Sequence, residues 1–134
     1  MASKTSAYKI IGISGSLRTN STNTALIQHV AQLAPKDRIA SIEIVYYKDV
    51  PVYDGDVEDA SGIPKTVQLI ADKIKEADGV YICTPEYNYS ISAALKNLID
   101  WLSRCKNTPL VGKPVAIASC SAGPSGGLRA IYDL

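Results

Sequence analysis

Ile10-Ile11-Gly12-Ile13-Ser14-Gly15-Ser16-Leu17-Arg18-Thr19-Asn20-Ser21-Thr22-Asn23 is the stretch on which the fold turns. Lys9 to Ile13 is a short, nearly all-apolar run closed by serine and glycine, the pattern of a strand buried on both faces. From about Asn23 the period changes: Leu26, Ile27, Val30, Leu33 and Ala34 fall on one helical face, and Pro35 marks the stop. Between strand and helix lies a turn of small and polar residues that holds one arginine. Backbone N–H groups at a helix start lack intrahelical acceptors and carry the positive end of the helix dipole. Hydroxyl and amide side chains line the same turn beside Arg18, so it reads as an anion cradle, with phosphate the fitting anion. An ordinary polar N-cap accounts for Ser21 and Asn23 but requires neither Arg18 nor Gly15. Gly12 and Gly15 lack the third glycine of the dinucleotide fingerprint, and no Walker-type Gly-Lys-Ser/Thr occurs.

The alternation continues outward from this stretch. Ile42 to Tyr47 reads as a second strand, followed by a polar segment from Lys48 to Gly62. Val67, Ile70, Ile74 and Ala77 define a second amphipathic helix, with Pro64 suited to its first turn. Gly79 to Thr84 is a third strand, a third helix carries Ala94, Leu95, Leu98, Ile99 and Leu102 on one face, and Pro114 to Ser119 is a fourth strand. This β-α-β-α-β-α-β order predicts parallel strands joined by right-handed helical crossovers, a doubly wound α/β sheet with helices on both faces. Ligands of such sheets collect at the carboxyl ends of the strands, near the point where strand order reverses. Three unusual loops converge there: Ser14 to Asn23, Pro85 to Ser92, and Ser121 to Gly127.

Composition narrows the class. The chain has 134 residues, 46% of them hydrophobic, enough for one core but not two, so residues 1–134 are read as a single domain. Fourteen Lys and Arg against 13 Asp and Glu give a net charge of +1 without long runs of either sign, which argues against nucleic-acid and membrane-surface roles. Cys83, Cys105 and Cys120 are odd in number and far apart, with no metal-like or redox-like pair, as suits a reducing compartment. Cys83 and Cys120, at strand ends, read as buried small apolar residues. The lone histidine, His29, reads as a surface or partly packed residue of the first helix rather than a catalyst. Met1 to Tyr8 lacks the apolar stretch of a secretion signal and no run approaches membrane-spanning length, so the expectation is a soluble, cytoplasmic protein.

Together the three loops resemble the NADPH-dependent FMN reductase family, the flavodoxin-like group of quinone, azo and chromate reductases. Gly15-Ser16-Leu17-Arg18 with Ser21 and Asn23 is similar to its phosphate loop. Pro85-Glu86-Tyr87-Asn88-Tyr89-Ser90, with Leu95-Lys96-Asn97 and Asp100, is similar to its flavin-ring loop and following helix. Ser121-Ala122-Gly123, Gly126-Gly127 and Arg129-Ala130 match a third segment, and Pro51-Val52-Tyr53-Asp54 is also family-like. The resemblance implies a three-layer α/β/α, flavodoxin-like domain. Family members continue through a fifth strand and a final helix, whereas this chain stops at Leu134, about two turns past Gly126. The expectation is therefore a chain truncated before the fifth strand, with strand four unpaired on one side and part of a sheet face uncovered.

Roles follow from the resemblance. Ser16, Arg18, Ser21, Thr22 and Asn23 would hold the phosphate of FMN. Pro85, Glu86, Tyr87, Asn88, Tyr89 and Ser90 would hold the isoalloxazine and ribityl chain, mainly through backbone groups. Ser121, Gly123 and Gly126 would bind the cofactor from the third loop, where Gly123, Gly126 and Gly127 would bring backbone N–H groups to the pyrimidine end of the ring and stabilise negative charge. Glu86 is read as fixing its loop or pairing with another subunit, Tyr89 and Trp101 as interface aromatics of a homodimer or homotetramer, and Lys96–Asp100 as a surface ion pair. No catalytic side chain and no metal are implied, because the flavin carries the chemistry. Hydride would pass from NADPH or NADH through FMN to a quinone, azo, flavin or metal-oxyanion acceptor by a ping-pong route. A flavodoxin-type electron carrier and a truncated, non-catalytic fragment stand as alternatives. A serine hydrolase does not: Gly12-Ile13-Ser14-Gly15-Ser16 misses the final glycine of a nucleophile elbow, and His29 forms no credible triad.

Overall fold

In the computed structural model, which describes residues 7–106 and 108–134, the apolar runs become four parallel strands. They are β1 (Tyr8–Ser14), β2 (Ile39–Val45), β3 (Gly79–Cys83) and β4 (Val115–Ala118), in the order β2-β1-β3-β4. The helices are α1 (Thr22–Leu33), α2 (Gly55–Ser61), α3 (Lys65–Glu76), α4 (Ala93–Arg104) and α5 (Leu128–Tyr132). Chain order runs from β1 out to β2 and then back across β1 to β3, so strand order reverses between β1 and β3. There Ile11 pairs with Val80 and Ser14 with Cys83, which sets the ends of the two strands level. The doubly wound, flavodoxin-like sheet expected from the sequence is present. The polar reading of the first six residues lies outside the described residues.

Side-chain alternation assigns the layers. Ile11, Ile13, Val80 and Ile82 share one face and pack with Val67, Ile70 and Ile74 of α3 and with Leu95, Leu98 and Leu102 of α4. On the opposite face lies α1, whose buried Ile27 sits so close to the sheet that a Cβ on Gly12 would meet it at 2.8 Å. Trp101 fills the α4 side completely: it is 0% exposed, meets Tyr53 edge-to-face at 5.0 Å, and donates its indole N–H to the Pro51 carbonyl at 2.8 Å. Its expected place at a subunit interface is thereby corrected, since this ring belongs to the core. On the α1 side, Ile10, Ile42, Tyr81, Ala116 and Val30 border an open apolar groove of about 630 Å³, and β4 forms one edge of the sheet.

Several boundaries move for physical reasons. β2 begins at Ile39 and ends at Val45, so Tyr46 and Tyr47 leave the strand. Tyr46 points to solvent, while Tyr47 turns inward and donates to the Ser14 carbonyl. The polar segment after β2 contains α2, capped by the Asp54 carboxylate and carrying Asp56 and Glu58 in its first turn. It buries no residue and thus left no apolar period to read. Helix α1 is shallower than its sequence suggested: Ile27 is buried, but Leu33 is 70% exposed.

Candidate functional site

The site grows from the end of β1. The Gly15 N–H donates to the Cys83 carbonyl at 2.7 Å, pulling the first loop against the end of β3. A Cβ on Gly15 would lie 2.3 Å from Thr84 Oγ1 and 2.9 Å from Thr84 Cα, so only glycine fits this approach. Three side chains then hold the turn. The Tyr47 hydroxyl donates to the Ser14 carbonyl at 2.6 Å, the Thr24 hydroxyl donates to Ser14 Oγ at 2.8 Å, and the Ser92 hydroxyl donates to the Gly15 carbonyl. Burial pushes the Tyr47 phenol well above the ordinary tyrosine range, so it stays a neutral donor.

The polar groups of the first loop sit on this frame, Ser21 and Asn23 buried and Ser16 and Arg18 at a cavity wall. Ser21 caps α1 by accepting from the Thr24 N–H at 3.2 Å, which leaves its O–H free to donate to a ligand. Thr22 and Asn23 occupy the first turn, where the helix offers their N–H groups no acceptor, and no acidic side chain sits there to compete for them. Ser16 and Arg18 line a cavity of about 270 Å³ shared with Thr24, Gln28, Tyr46 and Lys48. Hydroxyls, unpaired N–H groups and a guanidinium form a donor set that fits a phosphate monoester. Lys48 adds a second cation that sequence reasoning missed, because only the pairing of β2 with β1 brings it beside the loop.

Beyond β3, residues 85–90 form a tight turn. The Tyr87 and Ser90 backbones exchange hydrogen bonds of 2.9 and 3.1 Å across Asn88 and Tyr89, both at positive φ (51° and 68°). A turn of this hand favours Asn at its first central position, but a tyrosine at the second is strained. Glu86 supplies a brace. Its carboxylate accepts from the Arg129 backbone N–H and from Arg129 Nη1, each at 3.1 Å, and that guanidinium lies 4.5 Å from the Tyr89 ring centroid. Of the two readings of Glu86, the structure contains the one in which it fixes its own loop. Tyr87 and Tyr89 are exposed, at 48% and 70%.

The third loop follows β4. The Ser121 hydroxyl accepts from the Gly123 N–H at 3.1 Å, and Gly126 (φ 59°) has nothing within 4 Å of where a Cβ would stand. Gly127 (φ 83°) is crowded, since its Cβ would fall 1.9 Å from Ser119 Oγ. That hydroxyl is buried without a hydrogen-bond partner among the described residues. Asn23 reaches this loop from α1: its Nδ2 donates to the Cys120 carbonyl at 3.1 Å and its Oδ1 accepts from the Cys120 N–H at 2.9 Å. The Cys120 side of the earlier expectation is corrected, because this residue is exposed, whereas Cys83 is buried. Burial also pushes the Cys83 thiol up, which keeps it uncharged and unreactive.

The predicted residues thus lie on three loops at one end of the sheet, bound to one another by Gly15–Cys83, Ser92–Gly15, Asn23–Cys120 and Glu86–Arg129 contacts. They do not line one cavity. Tyr87, Asn88 and Ser90 border a separate depression of about 590 Å³, and Ser121, Gly123 and Gly126 line neither space. Among the fasteners, Ser92 had a legible signal, a serine just before the apolar helix α4. Tyr47 and the bracing role of Arg129 had none. The family-like Pro51–Asp54 segment is tied down by Asn97, which donates to the Pro51 carbonyl and accepts from the Tyr53 N–H. Among the described residues no group of three His, Cys, Asp or Glu side chains gathers to hold a metal ion, and no helix is long and apolar enough to cross a membrane.

Comparison with known proteins brings this geometry together with named relatives. The family described as NADPH-dependent FMN reductase matches residues 8–134. A quinone reductase of Escherichia coli is 45% identical over 129 residues, covering 94% of this chain and 66% of that protein. An NAD(P)H-dependent FMN reductase of Pseudomonas aeruginosa is 45% identical over 126 residues, with the same coverage of 94% and 66%. The chain therefore spans about two thirds of the length of these relatives. Among solved structures, the flavoenzyme NAD(P)H:(acceptor) oxidoreductase FerB of Paracoccus denitrificans superposes with a TM-score of 0.82 at 31% identity, over 92% of this chain and 66% of that one.

Proposed function

Since the chain belongs to the family of NADPH-dependent FMN reductases, we infer that it serves an FMN-dependent oxidoreductase which carries hydride from NADPH or NADH to a small-molecule acceptor. FMN, when bound, would supply the hydride-transfer chemistry between the nicotinamide and the acceptor. The protein's own part is to bind, orient and expose. Ser16, Arg18 and Ser21, with the N–H groups of Thr22 and Asn23, hold the phosphate at the positive end of α1. Pro85 to Ser90 hold the ring and ribityl chain, with Glu86 fixed by Arg129 so that the strained Asn88–Tyr89 turn keeps its shape. Ser121, Gly123 and Gly126 bring the third loop to the pyrimidine end, where the Ser121 N–H would face the ring while the Gly123 and Gly126 N–H groups shape the loop by donating to Ser121 Oγ and the Gly123 carbonyl. A donor preset there stabilises developing negative charge without reorganisation.

The observation that carries this reading is the loop from Gly15 into the first turn of α1: N–H donors, the Arg18 guanidinium and no carboxylate in that turn, fastened to the two other loops at the point where strand order reverses. In the same reading, a flavin held with one ring face open to solvent would be used by donor and acceptor in turn, which is a ping-pong sequence. Quinones, azo compounds, free flavin and metal oxyanions are the acceptor classes that fit a site without acid–base machinery of its own. A cytoplasmic homodimer or homotetramer belongs to the same reading, with the exposed Tyr89 as its interface aromatic. Initial rates with NADPH and a quinone varied together test the sequence. Parallel double-reciprocal lines are expected; lines that intersect would require both substrates to be bound at once and would overturn it.

A further inference from the structure

Asn23 stands in the first turn of α1 among the residues assigned to phosphate, yet both ends of its amide are engaged elsewhere. It is 3% exposed, and it closes a paired contact with the Cys120 peptide, 97 residues away: Nδ2 to the carbonyl at 3.1 Å, Oδ1 from the N–H at 2.9 Å. The loop it grips is otherwise loosely held. The remaining hydrogen bonds described for residues 119–128 are local, from the Gly123 N–H to Ser121 Oγ, from Gly126 to Gly123 and from Leu128 to Ser125, with Gly127 accepting from Ile131. Among the described residues, Asn23 is the hydrogen-bonded tie between this stretch and the rest of the molecule until Arg129 meets Glu86. An asparagine side chain that mimics a paired peptide fixes both the position and the orientation of the backbone it meets.

We propose that the Asn23 side chain positions a loop and is not a phosphate ligand, whatever its backbone N–H does: from the first turn of α1 it sets the place of the 119–127 loop and so couples the phosphate end of the site to the ring end. The proposal rests on the FMN reading above. Its test uses FMN and riboflavin, which share the ring and differ in the phosphate, together with hydrogen exchange of the flavin-free protein. In Asn23→Ala and Asn23→Asp, FMN and riboflavin should weaken by a similar factor, roughly tenfold. Amides of residues 119–127 should exchange faster, while those of Val80 to Ile82 in β3 stay protected. Asn23→Asp is informative because it retains an acceptor for the Cys120 N–H but sets a second oxygen against the Cys120 carbonyl. A phosphate contact has a different signature, expected for Arg18→Ala, in which FMN is lost and riboflavin is untouched. That signature in Asn23→Ala, with unchanged exchange at residues 119–127, overturns the proposal. Where neither variant folds, the wild-type chain decides: Cys120 is exposed, so a protected Cys120 amide supports the tie to Asn23 and a freely exchanging one refutes it. A wild-type protein that takes up neither flavin sinks the FMN reading instead and leaves the exchange result to judge the tie.

Discussion

A single missing carbon decides how the first loop meets β3. Gly15 donates to the Cys83 carbonyl while its α-carbon rests against Thr84, itself fully buried. Adding a methyl group there demands movement of Thr84 Cα, which is backbone and cannot step aside as a flexible side chain would. Gly15→Ala should therefore cost about 1–3 kcal/mol of stability, the usual range for overpacking a filled site. Urea unfolding checks it, and an unchanged midpoint would contradict the close approach. Glycine at this position was legible in the sequence as part of a cradle. Its actual reason, contact with a threonine 69 positions later, was not, because sequence period says nothing of which strand ends fall side by side. The same limit explains Asn23. Its residue type suits a phosphate, a cap and a peptide equally, and only the fold brings Cys120 within reach.

At the scale of elements, apolar period was a faithful guide wherever an element buries a face. β1 and β3 lie within a residue of their expected bounds, and α3 and α4 form around the apolar faces expected of them, because each contributes buried residues to the core. Helix α2 escaped notice for the opposite reason, since acidic capping and not burial holds it. The 85–90 turn was recognised as a unit, but its brace was not. Glu86 and Arg129 are 43 positions apart, and the pair joins this turn to α5. Arg129→Gln removes the guanidinium from both Glu86 and the Tyr89 ring while leaving the backbone N–H bond to Glu86 in place. Because the Arg129 side chain is about half exposed, the global stability should fall by no more than about 1 kcal/mol. The local effect should be larger: the Tyr87 and Ser90 amides, which close the strained turn, should exchange measurably faster. Unchanged exchange at those two amides would show that the turn holds its shape without the brace.

For the whole molecule, the order β2-β1-β3-β4 places the ends of β1 and β3 together at the reversal, and that placement does the most for function. One face of the sheet is sealed by α3 and α4, and the other carries α1 beside an open apolar groove. At the carboxyl end, three loops from distant parts of the sequence are fastened by hydrogen bonds into one surface. The central claim is that this surface binds FMN and lets a nicotinamide reduce it. The most direct measurement is the visible spectrum of the protein reconstituted with FMN and freed of excess, before and after anaerobic addition of NADPH or NADH. The account predicts flavin absorption that stays with the protein through gel filtration and bleaches on addition of the nicotinamide. A protein that emerges colourless, or one whose bound flavin is not reduced by either nicotinamide, would contradict it.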